Sequence, residues 1–267
     1  MMELSERQKR EQEYYNQYAS MFKVNENVDF SPVLGNERRP WNSYWYTYQL
    51  VEENKTGRTE PTLLDFGSGP GENALRFAKL GYKVEGFDIS EKNCEVADQL
   101  FAKYEMSDRG SFKVTPAEKL DYESESFDVI CGIDILHHVD IPKAIVECHR
   151  VLKKGGIAVF REPLDVPLWD IIRNSRIVTK FFPKTASFDT HITEDERKLN
   201  QEDLRVISQT FPDIRIDKFL LFSRFDPYIR KEGDPTPSML EKVDSFLMKI
   251  IPGLANLGGA MVITVKK

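Results

Sequence analysis

LLDFGSGPGENAL, residues 63–75, decides how this chain is read. A short apolar run leads into three glycines, Gly67, Gly69 and Gly71, and a helical pattern begins just beyond them. A junction of strand, glycine loop and helix is where α/β proteins hold nucleotides. Two phosphate-binding loops can be tested directly. A P-loop requires GxxxxGK[ST], and the sequence contains no Gly-Lys pair. A dinucleotide fold requires GxGxxG, but here the spacing is GxGxG and Glu72 stands where a third glycine would be. Asp65 and Glu72 also bracket the loop with negative charge. One like-charge contact at about 4 Å, with an effective dielectric of about 20, costs about 4 kcal/mol and opposes a pyrophosphate.

The same charges favour a cation. Asp88 ends the next apolar run, in GFDIS, seventeen residues after Gly71. A carboxylate at that place accepts hydrogen bonds from both hydroxyls of a ribose. Acids at two successive strand ends around a glycine loop suit S-adenosylmethionine, which carries a sulfonium and an ammonium and no phosphate. Asp65 would hold the ammonium, directly or through water, and the glycines let the backbone pass close to the ligand. Either acid alone reads equally well as a helix cap or turn residue.

Outward from this stretch, strands and helices alternate. TLLDF, YKVEGFDI, SFKVT, FDVICGI and IAVFRE read as five strands. Between them lie the helical patterns ENALRFAKL, EKNCEVADQLFAKY (with Ser90 as N-cap) and IPKAIVECHRVL. KKGG reads as the turn into the fifth strand. This order predicts a parallel sheet with helices on both faces. Residues 5–22 predict a helix whose stripe is Tyr15, Tyr18, Ala19 and Phe22, and Trp41, Tyr44, Trp45 and Tyr48 form a second stripe. These rings either pack on the sheet or line a ligand pocket. After Glu162 comes a long excursion, residues 163–200, opening with the helical pattern PLWDIIRNSRIV. The helix QEDLRVISQTF, the strand DIRIDKFLLF, a helix near PSMLEKVDSFLMKI and the strand GAMVITVKK complete the chain. The expected organisation is an N-terminal helical cap (1–59), a cofactor-binding core (60–162), a cap insertion (163–200), and a C-terminal part of the same sheet (201–267).

LLDFGSGPGENAL, GFDIS and PAEKLDYESESFDVICGIDILHHVDIPKAIVECHRVLKKGGIAVF together resemble the class I S-adenosylmethionine-dependent methyltransferases. Within them the resemblance is to the methyltransferase type 11 group that includes quinone-biosynthesis enzymes, and it covers about residues 60–162. It implies a Rossmann-like seven-stranded α/β sheet whose last strand is antiparallel. It also implies roles. Asp65, Gly67, Gly69 and Gly71, with Ser68 in the same loop, would contact the methionine part. Asp88 and Ile89 would flank ribose and adenine, Ala117 and Glu118 would lie at the adenine edge, and Gly132 and Ile133 would close over the methionine chain. One departure is Pro116, where many relatives carry an Asp that bonds the adenine amino group; proline offers neither an acceptor side chain nor an N–H. Adenine would then be read by the Ala117 backbone or by Glu118.

Methyl transfer needs a base only where the acceptor must lose a proton. His137 and His138, in ILHHV, follow the fourth strand at the end where open α/β sheets bind ligands, and histidine titrates near neutral pH. Glu162 at the end of the fifth strand and His191 in the excursion are further candidates for orienting an acceptor. Tyr14, Tyr15 and Tyr18 would close the pocket, and Arg161 and Arg173 would hold an acidic substrate. The expected product is S-adenosylhomocysteine and the expected acceptor a small molecule, methylated at O, N or C. A cofactor-binding protein with non-methylating chemistry, or a protein methyltransferase, remains the alternative.

Other classes fit poorly. A short-chain oxidoreductase needs Tyr-xxx-Lys, which is absent, as are Pro-Pro and Pro-Cys motifs of nucleic-acid methylation. The net charge of −6 gives no bulk attraction to nucleic acid or anionic lipid. No CxxC or HExxH occurs, so no metal site is expected. Three widely spaced cysteines, no apolar leader in MMELSERQKREQE and no long apolar run lead to the expectation of a cytoplasmic protein without a membrane span. A homodimer is compatible with the sequence.

Overall fold

The computed structural model describes residues 4–21, 24, 27–55, 59–164, 166, 197–230 and 236–267. PLWDIIRNSRIV, Arg173, His191 and nearly all of the 163–200 excursion therefore lie outside the described residues, as does Phe22.

Five parallel strands carry the fold: β1 (Thr62–Phe66), β2 (Lys83–Asp88), β3 (Gly110–Val114), β4 (Phe127–Ile133) and β5 (Leu152–Pro163). With β6 (Asp213–Phe219) and β7 (Ala260–Lys266) they form one seven-stranded sheet in the order β3-β2-β1-β4-β5-β7-β6. β7 runs antiparallel to both β5 and β6. The expected sheet, with its antiparallel last strand, is what the chain builds.

β1 shows why the sheet forms. Leu63, Leu64 and Phe66 are fully buried, as a parallel strand covered on both faces demands. Successive side chains point to opposite faces. Leu64 and Phe66 join one core with Ile145 and Cys148, while Leu63 joins another with Leu75, Phe77 and Tyr82. Each such buried Leu or Phe contributes about 1.5–3 kcal/mol of hydrophobic free energy.

The helices are α1 (Glu6–Ser20), α2 (Ser31–Leu34), α3 (Ser43–Glu53), α4 (Glu72–Lys79), α5 (Glu91–Lys103), α6 (Ile141–Val151), α7 (Gln201–Thr210), the single turn α8 (Asp226–Ile229) and α9 (Met239–Ile250). Their starts follow the local chemistry. Ser5 and Gln8 form a capping box on α1, Ser90 accepts from the Asn93 N–H at α5, and Asp140 caps α6. α1 packs across α5.

Two boundaries differ from the sequence expectation. β5 starts at Leu152, because Leu152 pairs with Phe127 and the KKGG residues form an irregularity inside the strand, not a turn before it. β6 stops at Phe219 and does not reach Phe222. Leu220 turns at φ 62°, and the Asp244 carboxylate on α9 gathers the N–H groups of Leu221, Phe222 and Ser223 off the sheet.

The strand order reverses between β1 and β4, the crevice where α/β sheets bind ligands. The carboxyl ends of β1, β2 and β4 meet there.

Candidate functional site

At that crevice lies a cavity of about 350 Å³, walled by the loops after β1, β2, β3 and β4 and roofed by α1. The three loop glycines all have positive φ, yet they do different work. A Cβ on Gly67 would lie 2.5 Å from the Ile135 side chain, and one on Gly71 would lie 2.7 Å from Ala97 Cβ on α5. A Cβ on Gly69 would meet nothing within 4 Å. Gly67, Ser68 and Gly69 face the cavity. Gly71 is placed differently: it starts α4 and lets that helix close on α5, and it does not border the cavity. Gly132 is likewise set back, against Phe160 and Ile135, while its neighbour Ile133 is a wall residue.

Asp65 stands one layer behind the wall and is buried. Among the described residues its Oδ2 has no hydrogen-bond partner. Burial pushes its carboxyl up to about 7; an N–H from Ala74 opposes that shift and the Asp88 charge adds to it. Burying an unmatched carboxylate is costly, so a cation reaching it would be strongly favoured.

Asp88 is a wall residue whose carboxylate ties two loops together. Oδ2 accepts from the Gly69 N–H at 3.0 Å, and Oδ1 accepts from the Ser90 N–H at 2.8 Å and from Asn93 Nδ2 at 3.2 Å. Burial raises its pKa and these three donors oppose the rise. A carboxylate has about four acceptor positions, so three are taken.

Ile89, Pro116, Ala117 and Val139 form an apolar flank. Glu118 borders it but is not a free reader of adenine. Its Oε1 binds Arg7 and the Asp140 N–H, and its Oε2 accepts from Gln8 Nε2 at 2.9 Å. The carboxylate fastens α1 over the cavity. Gln12 adds a bond to the Ile89 carbonyl at 2.8 Å, and Asn16 Oδ1 accepts from the Ser90 hydroxyl at 2.7 Å.

The adjacent histidines part company. Their ring centroids are 4.1 Å apart, but His137 turns inward, with Nδ1 2.7 Å from Glu162 Oε2. Glu162 is fully buried, and its Oε1 accepts from the Ile135 and Leu136 N–H groups. Neither His137 nor Glu162 borders the cavity. They form a buried pair that shapes the loop after β4, set back from the cavity that His138 faces. His138 does face the cavity. Its Nε2 lies 3.1 Å from the Tyr15 hydroxyl and its Nδ1 lies 3.5 Å from Glu11 Oε2. The Glu11 contact is one of charge proximity and not a hydrogen bond, so the ring's direct hydrogen-bond partner is the Tyr15 hydroxyl at Nε2.

Glu11, a buried acid on α1, escaped the sequence reading. The available signal was spacing: Glu11 extends the Tyr15–Tyr18 stripe by one helical turn. Tyr15 and Tyr18 border the cavity while Tyr14 does not. From the second stripe, Trp45 and Tyr48 pack into the protein body. Asp134 was also missed. It faces the cavity at φ 57°, accepts from the Tyr44 hydroxyl at 2.9 Å and pairs with buried Arg161. Arg161 is thereby committed inside the protein. The cavity wall carries Glu11, Asp88, Glu118 and Asp134 against Arg7 and His138. Of Asp65, Glu72 and Asp88, the acids that the sequence's charge argument named, Asp88 alone is in the wall; Glu118 and Asp134 there are paired with Arg7 and Arg161. Among the described residues no cluster of three metal-ligating groups occurs.

The family described as a methyltransferase domain matches residues 64–160. A demethylmenaquinone methyltransferase of Chlorobaculum parvum is 32% identical over 127 residues, 46% of this chain and 50% of that protein. The chain spans about half the length of the first curated relatives it matches. A ubiquinone biosynthesis O-methyltransferase of Roseobacter denitrificans is 30% identical over 186 residues, 64% of this chain and 71% of that protein. Among solved structures, a geranyl diphosphate C-methyltransferase from Streptomyces coelicolor superposes with a TM-score of 0.61 at 14% identity, covering 100% of this chain and 99% of that one, which is a likeness of fold. With its glycine loop, its paired acids and a match spanning more than two thirds of a related enzyme, the chain belongs to the class I S-adenosylmethionine-dependent methyltransferases of the type 11 group.

Proposed function

We propose that this protein transfers a methyl group from S-adenosylmethionine to a small-molecule acceptor. The observation that carries the reading is Asp65, a buried carboxylate with an unmatched oxygen behind an acidic, glycine-lined cavity. A cationic ligand relieves that arrangement and a phosphate would aggravate it. Gly67, Ser68, Gly69 and Ile133 would flank the methionine part, Asp88 the ribose, and Ile89, Pro116 and Ala117 the adenine. When bound, the cofactor supplies an electrophilic methyl on a positively charged sulfur.

The protein's own share is positioning, exclusion of water, and a place for a proton. Where the acceptor carries a proton, His138 Nε2 receives it, directly or through the Tyr15 hydroxyl, and Glu11 offsets the charge that forms on the ring. Residues 1–59 would act as a helical cap, with 163–200 as a second one, over the core (60–162) and the remainder of its sheet (201–267). A small organic acceptor is supported by the relatives, two of which are named for menaquinone and ubiquinone. A cytoplasmic location and a non-nucleic-acid substrate are part of the same proposal, supported by three free cysteines and a net charge of −6.

Calorimetric titration with S-adenosylmethionine, then an assay for S-adenosylhomocysteine across small acceptors, tests both levels. Absence of binding sinks the pocket assignment. Tight binding without thioether product with any acceptor leaves the pocket standing and removes the transferase.

A further inference from the structure

α9 is amphipathic in the wrong sense for a helix of a globular protein. Such helices turn their apolar stripe to the core. In α9 the one fully buried residue is an acid, Asp244. It accepts from the N–H groups of Leu221, Phe222 and Ser223 at 2.8–2.9 Å and from the Ser223 hydroxyl at 2.6 Å. Glu241, the other acid, is held by Asn42 Nδ2 at 2.7 Å. These bonds fix the rotation of the helix. They leave Met239, Val243, Phe246 and Ile250, spaced i, i+4, i+7, i+11, pointing outward and 39–75% exposed. Exposed Ile251 prolongs the strip past the helix end. Among the described residues nothing covers it. A strip of large apolar side chains in water, held there by a buried acid, marks an interaction surface.

The charges beside the strip select the occupant. Lys242 and Lys249 are exposed on its flank, Lys242 resting 5.4 Å from the Trp41 ring. Both acids of the helix face inward, and Glu37, an exposed acid within electrostatic reach of Lys242, is itself paired with Arg39, so the helix's outward face is apolar and basic. A second copy of the chain meeting it through the same helix would bring lysines against lysines, with no carboxylate from that helix to answer them. We propose that α9 seats the protein on an anionic lipid surface, with the strip entering the headgroup boundary and the lysines lying among lipid phosphates. The protein as a whole carries −6 and is repelled by such a surface. Attraction is therefore confined to this face and depends on orientation. No helix among the described residues is long and apolar enough to cross a membrane, so the contact is peripheral.

Co-sedimentation of the full chain with phosphatidylcholine vesicles, with and without about 30% phosphatidylglycerol, tests this. The expected result is about tenfold stronger partitioning onto the mixed vesicles, weakening with salt. Phe246→Glu and, separately, Ile250→Glu should each reduce it about tenfold with unchanged circular dichroism. The double change Lys242→Glu with Lys249→Glu should erase the preference for phosphatidylglycerol. Absence of sedimentation with either vesicle overturns the proposal, as does partitioning that both glutamate variants leave intact. A concentration-dependent dimer by light scattering, dissolved by Phe246→Glu and without vesicle binding, assigns the strip to a second copy and overturns it equally.

Discussion

The floor of the cavity and its roof are built in opposite ways. The floor comes from loops that follow β1 and β2, and its bonds are short in sequence: Asp88 reaches Ser90, Asn93 and Gly69. The roof is α1, and its bonds are long: Arg7 binds the His138 carbonyl 131 residues away and Glu118 at a separation of 111, and Gln12 binds the Ile89 carbonyl at 77. A floor held locally forms whenever the sheet forms. A roof held by polar side chains at a helix surface is the part expected to open. On that expectation, affinity belongs to the floor and access to the roof.

The sharpest test falls where floor and roof meet, at the two histidines. His138→Ala should slow turnover by about 10²–10⁴-fold at saturating substrate if Nε2 receives a proton. His137→Ala should leave turnover per folded molecule within about threefold. It should instead lower stability by about 1–3 kcal/mol, because Glu162 loses its ring partner in a fully buried place. Equal kinetic loss in both variants would erase the division between them.

Asp65 probes the floor through pH. Its folded-state pKa, about 7, lies above the ordinary 3.8 because of burial. A raised carboxyl pKa means the folded state holds the proton more tightly. The associated stability is full below about pH 4 and is lost as pH rises through about 7. Asp65→Asn removes that slope and should stabilise the ligand-free protein at pH 8 by about 2–4 kcal/mol, read from chemical denaturation at several pH values. The same change should weaken S-adenosylmethionine binding, since a neutral amide gives a cation less. A variant that loses stability, or gains it without weakening binding, would show that the acid is not there for the ligand.

Asp88→Ala should cost about 1–3 kcal/mol of cofactor binding by calorimetry, from the lost charged hydrogen bond and the loosened Gly69 loop. Unchanged affinity would detach ribose from this residue.

The floor was legible in the sequence because its logic is local. The apolar runs of β1 and β2, the capping residue Ser90 and the acids at two strand ends all lie within thirty residues of one another, and the later strands were legible from their own apolar runs except for one boundary each of β5 and β6. The boundaries failed for non-local reasons. β5 begins early because Leu152 finds Phe127, and β6 ends early because Asp244 pulls the following loop aside. The site divided similarly. Gly67, Gly69 and Asp88 stand at the cavity, whereas Gly71 and Gly132 serve packing that only the folded chain reveals. Glu118 has the right place but is committed to α1, and no spacing rule announces a partner at residue 7. His137 and His138 are identical in type and adjacent, and only the positions of Glu162 and Glu11 separate them.

Arg7 tests the roof and should give the smallest effect. Its guanidinium binds Glu118 and the His138 carbonyl, but the side chain is about a quarter exposed, and solvent screens such a pair. Arg7→Ala should therefore lower global stability by no more than about 1 kcal/mol. What it removes is a clasp on α1, so the loss should appear in the kinetics of ligand exchange. Stopped-flow displacement of S-adenosylhomocysteine should show an off-rate raised about three- to tenfold with a smaller rise in the on-rate, because an open roof eases both directions and only the closed one retains ligand. A large loss of stability with unchanged exchange would make α1 part of the fixed frame, and floor and roof would then differ in sequence distance alone.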